Sequence, residues 1–96
     1  MRLVVTRAAI RDLAEIEAFI ARDNARAARR FILKLLDACD SLVDQPRAYP
    51  DAGVQNLRKR PFDDYLIFYR LSDTVEVVRI LHAARDWASL LDPSTD

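Results

Sequence analysis

The feature that most constrains this chain is a change in the spacing of its apolar residues, which falls at its only glycine, Gly53. Before Gly53 the apolar residues recur at the three- and four-residue steps of a helix. After it they form short β-branched and aromatic runs suited to strands. Ile10, Leu13, Ile16 and Ile20 predict a helix from Arg7 to about Arg22 with that stripe buried, and Thr6 offers its N-cap. Asp23 and Asn24 interrupt it, and either can cap a second helix running to about Val43, with Ala28, Phe31, Leu35, Cys39 and Leu42 on one side. Pro46 and Pro50 prevent continuation. Two helices joined so tightly pack as an antiparallel hairpin.

Arg2 to Thr6 reads as a first strand. Beyond Gly53, Val54 to Arg60 predicts a polar strand, Tyr65 to Leu71 an apolar one and Val75 to His82 a third, separated by Pro61 to Asp64 and by Ser72-Asp73. The expected order is β-α-α-β-β-β, an α+β fold with the helical hairpin on one face of a mainly antiparallel sheet, spanning residues 1–96 as one domain.

If Ser72 and Asp73 form a two-residue turn, Leu71 opposes Thr74 and the register follows. One face then collects Leu66, Phe68, Arg70, Val75, Val77, Arg79 and Leu81. The other collects Tyr65, Ile67, Tyr69, Leu71, Glu76, Val78, Ile80 and His82. Assigning the Ile67, Val78, Ile80 face to the helices leaves the first as an open apolar trough carrying Arg70 and Arg79, a surface for a partner.

Composition excludes several classes of function. A net charge of zero removes the broad positive field of a protein that binds nucleic acid by overall charge, so no sequence-specific nucleic-acid binding by the chain alone is expected. The charge is nonetheless polarised: residues 1–60 hold twelve Lys/Arg against eight Asp/Glu, and residues 61–96 hold three against seven. One cysteine excludes an internal disulfide, and one histidine without clustered carboxylates predicts no metal and no cofactor. No apolar run is long enough to span a bilayer, which points to a cytoplasmic protein without membrane contact.

Two stretches carry a family resemblance. Arg60-Pro61-Phe62-Asp63-Asp64-Tyr65-Leu66-Ile67-Phe68-Tyr69-Arg70-Leu71 and Val77-Val78-Arg79-Ile80-Leu81-His82-Ala83-Ala84-Arg85-Asp86-Trp87 together resemble the carboxy-terminal half of ParE-type toxins in the RelE/ParE superfamily. The loop from Pro50 to Gly53 is similar to the family's loop before the sheet, and the helical hairpin stands in the expected place. The resemblance implies the toxin of a two-gene, plasmid-stabilisation-type module, neutralised by a small ParD-like antitoxin. ParE members are understood to poison DNA gyrase by protein contact, whereas RelE members cut messenger RNA in the ribosome. A shared fold does not choose between them.

The residues favour the ParE reading. RelE-type RNases tend to carry a basic residue directly after the strand tyrosine that corresponds to Tyr65, where this chain has Leu66, and their usual late tyrosine is missing. Arg85 does match a basic position of the RNases, and an RNase here would draw on some of Arg60, His82 and Arg85, with His82 able to serve as the general base. The preferred reading of His82 is a strand-end residue that satisfies backbone or carboxylate groups. The expected contacts with antitoxin or target are Arg58, Arg60, Leu66, Phe68, Arg70, Val77, Arg79, Arg85 and Trp87, with Arg26 and Arg30 on the second helix orienting the partner. Arg58 and Arg60 are also readable as charge guarding an edge strand, and Trp87 as a cap on the core. A non-toxic binding module of the same fold is the third alternative.

Overall fold

The computed structural model describes residues 1–91. The elements are β1 (Arg2–Val5), α1 (Arg7–Ala21), α2 (Ala25–Ser41), β2 (Arg58–Phe62), β3 (Tyr65–Leu71), β4 (Thr74–His82) and a short α3 (Trp87–Leu90). Thr6 caps α1 by accepting the Ala9 N–H, and Asn24 caps α2 by accepting that of Ala27, so both expected helix starts form. The four strands make one sheet in the order β1-β4-β3-β2, antiparallel except for the parallel β1/β4 pair.

One residue, Thr6, joins the two layers. Besides capping α1, it donates its backbone N–H to Val77 O and its hydroxyl to Val78 O. The first helix therefore begins where β1 stops pairing with β4. The core between hairpin and sheet holds Ile16, Leu35, Cys39, Leu42, Ile67, Tyr69, Val75, Val77 and Ile80. The Tyr69 hydroxyl, which would be costly to leave unpaired in this setting, donates to Pro46 O at 2.7 Å.

The strand register departs from the two-residue-turn expectation twice. Leu71 pairs with Val75 rather than Thr74, so the turn is one residue longer. A bulge then follows: Tyr69 pairs with Val77 but Phe68 with Arg79, leaving Val78 as the extra residue. Each slip inverts the side-chain faces, and two slips restore them. Val75 and Val77 are thus turned into the helix-side core, not a trough, while Val78 packs on the opposite face. Ile80 and Leu81 keep the faces expected of them.

Three smaller expectations also change. Ile10 is 55% exposed and does not join the buried stripe of α1. The second strand starts at Arg58, because Gln55 and Asn56 take positive φ angles and form a turn with Gly53 (φ 81°). That strand also contains Pro61, which is tolerated because β2 is an edge of the sheet.

Candidate interaction site

The outer edge of β4 is protected in two ways. β1 covers it as far as Val77, and beyond that α1 supplies side chains in place of a strand. The Asp12 carboxylate, almost fully buried, accepts the Ile80 backbone N–H at 2.9 Å and holds Arg79 in a two-point grip, Nε at 2.8 Å and Nη2 at 3.0 Å. Such forked pairing is the geometry in which arginine and carboxylate bind best. The hydrogen bond to Asp12 also pushes the Arg79 guanidinium above its already high ordinary range, against the opposing effect of its burial.

A groove of about 240 Å³ opens beside this pair, between Glu15, Ile16 and Phe19 of α1 and Tyr65, Ile80, His82 and Arg85 on the sheet side. Its walls are apolar and its rim is charged. Phe19 is 64% exposed, a large aromatic placed where a partner would cover it. His82 stacks edge-on against Tyr65 with ring centroids 5.3 Å apart, and its Nδ1 accepts the Ala84 N–H at 3.1 Å. Burial, reinforced by Asp64 and Asp63, raises the Tyr65 phenol above its ordinary value, so it stays protonated and can donate a hydrogen bond at neutral pH.

The other face of the sheet is closed by the chain itself, which overturns the open trough. Leu66 and Phe68 are buried beneath Ala52, Val54, Leu57, Trp87 and Leu91, residues from the loop before β2 and from α3. Trp87 lies 5.3 Å from the Phe68 ring, and the Lys59 ammonium sits 5.0 Å from the Trp87 ring centroid. The reading of Trp87 as a cap on the core therefore holds.

The remaining site residues separate. Arg58 and Arg60 share one face as expected, yet they pair with Tyr69 and Ile67 on the helix side, so they do not adjoin a trough carrying Arg79; it is Lys59 that faces Trp87. Arg58 donates to Tyr49 O at 2.7 Å. Arg60 lies 5.1 Å from the Tyr49 ring and 5.9 Å from that of Phe62, and its buried Nε has no hydrogen-bond partner among the described residues. Arg70 is exposed and forms a 3.6 Å ion pair with Glu76. Arg85 is exposed at the groove, and Arg26 and Arg30 are exposed on α2 and do not line it. Sequence reading missed Phe19 and the paired role of Asp12. The available signal was Phe19 lying off the Leu13, Ile16, Ile20 stripe.

The model of the ParE toxin of the type II toxin–antitoxin system parDE matches residues 3–87. The chain belongs to this ParE toxin family of type II toxin–antitoxin systems. Among curated relatives, the toxin-named Y4kP of Sinorhizobium fredii is 33% identical over 92 residues, covering 94% of this chain and 96% of that protein. Toxin RelE2 of Caulobacter vibrioides is 37% identical over 87 residues, covering 88% and 97%. Among solved structures, a chain of the chromosomal ParDE system of P. aeruginosa superposes with a TM-score of 0.76 at 19% identity, covering 85% of this chain and 95% of that one. A chain of the toxin–antitoxin complex RelBE2 of Mycobacterium tuberculosis gives 0.63 at 18% identity, covering 84% and 95%. At these identities the structural likeness shows the common fold. No helix among the described residues is long and apolar enough to cross a membrane.

Proposed function

We propose that this chain is a ParE-like toxin that inhibits DNA gyrase by protein contact and is neutralised by a small ParD-like antitoxin. The observation that carries the reading is the separation of the basic residues an RNase would need. The backbones of Arg60 and His82 lie two strands and two rungs apart, about 12 Å by standard sheet spacing, and Arg60 does not line the groove that His82 and Arg85 share. Arg60 is packed between Tyr49 and Phe62, and the place where the RNases tend to carry a basic residue holds Leu66, 9% exposed. Acid–base catalysis needs its groups within hydrogen-bond reach of one reacting centre.

The same geometry supports binding. The groove between α1 and the end of β4 offers apolar walls with Phe19 exposed, and Arg85 at its rim for an acidic group. An antitoxin segment laid there would gain affinity from apolar burial and register from charge. One observation favours ribosome-dependent cleavage of messenger RNA as the second reading: His82 and Arg85 line the same groove. A supercoiling assay with purified gyrase separates the two. Loss of supercoiling with accumulation of cleaved plasmid is expected, and unchanged supercoiling together with ribosome-dependent transcript cleavage contradicts the proposal.

A further inference from the structure

The outer surface of α2 carries a charge pattern that is complementary to itself. Arg26, Arg30, Leu33, Asp37, Asp40 and Asp44 follow one another at alternating four- and three-residue steps, so they form a single stripe along the helix and the turn after it. All six are exposed, and the stripe lies opposite the buried Ala28, Leu35 and Leu42. It therefore stands outward, on the side of α2 away from the core.

The stripe is symmetric in position about Leu35 and, at its four outer residues, antisymmetric in charge. Arg26 and Asp44 lie nine residues either side of Leu35, Arg30 and Asp40 five, and Leu33 and Asp37 two. Basic residues at the N-terminal end and acidic ones at the C-terminal end oppose the helix dipole, so the arrangement costs stability in the isolated chain. A two-fold axis through the middle of the stripe would set two copies of α2 antiparallel and place each of the four outer charges against its opposite, with Asp37 beside Leu33 of the other copy.

We propose that this face of α2 binds a second copy of the same chain, forming an antiparallel two-fold dimer. Arg26 meets Asp44 of the other copy, Arg30 meets Asp40, and the two Leu33 side chains, each 55% exposed as the chain stands alone, flank the axis. A single helix seam is small for an interface and its ion pairs are solvent-exposed, so the dimer is weak and depends strongly on salt. This inference is independent of the gyrase reading, because the stripe does not line the groove.

The test is sedimentation of the purified full chain and of two charge-reversed variants, Arg26→Asp/Arg30→Asp and Asp40→Arg/Asp44→Arg, with circular dichroism as the check on folding. The wild type should dimerise at low ionic strength and dissociate at ~0.5 M salt, where charges are screened within ~4 Å. Each variant alone should lose self-association at least tenfold, and an equimolar mixture of the two should regain it as a heterodimer. A wild type that stays monomeric at low salt, or a mixture that fails to associate, overturns the proposal. So does a variant that dimerises normally while losing affinity for antitoxin or gyrase, a result that would give the stripe to that partner.

Discussion

Asp12 and Arg79, one on the first helix and one on the last strand, are held together at 2.8 and 3.0 Å, and the same carboxylate closes the backbone of Ile80. This links the helical hairpin to the strand edge that forms one wall of the groove. Removing Asp12 leaves Arg79 without its anion and the Ile80 N–H without an acceptor. Asp12→Ala should therefore cost about 3 kcal/mol, in the range found when one member of a buried pair is deleted. Asp12→Asn, which keeps one oxygen acceptor, should cost less. Urea unfolding measures both, and equal midpoints for Asp12→Ala and wild type would remove the pair from any account of stability.

Cys39 is 1% exposed, and burial, reinforced by Asp40, pushes its thiol from an ordinary value of 9.0 up to about 11. A neutral thiol in the core should react with a disulfide reagent only through opening of the fold. The sign of the pH effect follows. Because the folded value is the higher one, its contribution is fully present below about pH 9 and is lost as pH rises through about 11. Thiol titration at pH 8 should show slow reaction in buffer and fast reaction in denaturant, and equal rates would place Cys39 at the surface.

Trp87 seals the second face by packing on Phe68, with the Lys59 ammonium near its ring. Trp87→Ala should expose Phe68 and Leu66 and destabilise the fold by about 2 kcal/mol. Lys59→Ala should cost a few tenths of that, as an exposed cation–π contact does. As the chain has one tryptophan, its fluorescence reports the wild-type transition, and circular dichroism follows the variant. An unchanged melting temperature in Trp87→Ala would mean that α3 is not docked in solution.

The sequence disclosed the elements better than their phasing. The helix starts at Thr6 and Asn24 were legible because short polar side chains there have a local task, capping. Strand β3 was legible at both ends. Register was not, because an added turn residue and a bulge at Val78 are invisible to hydrophobic alternation when the adjacent residues 77 and 78 are both valine. That ambiguity exchanged the positions of Val77 and Val78, whereas the open trough failed for a separate reason, that α3 and the Ala52 to Leu57 loop cover this face. The role of Asp12 was hidden for a different reason. Its partner lies 67 residues away, and a lone aspartate on an amphipathic helix reads as solvated surface.

Under the proposed function the chain acts on gyrase by contact and does not cut RNA. The most direct measurement is brief expression in bacteria without antitoxin, following chromosomal breaks and transcript integrity in the same cells. Gyrase-dependent DNA breaks with intact transcripts are predicted, and should persist in an Arg60→Ala variant that folds. Ribosome-dependent transcript cleavage with an intact chromosome would contradict the account.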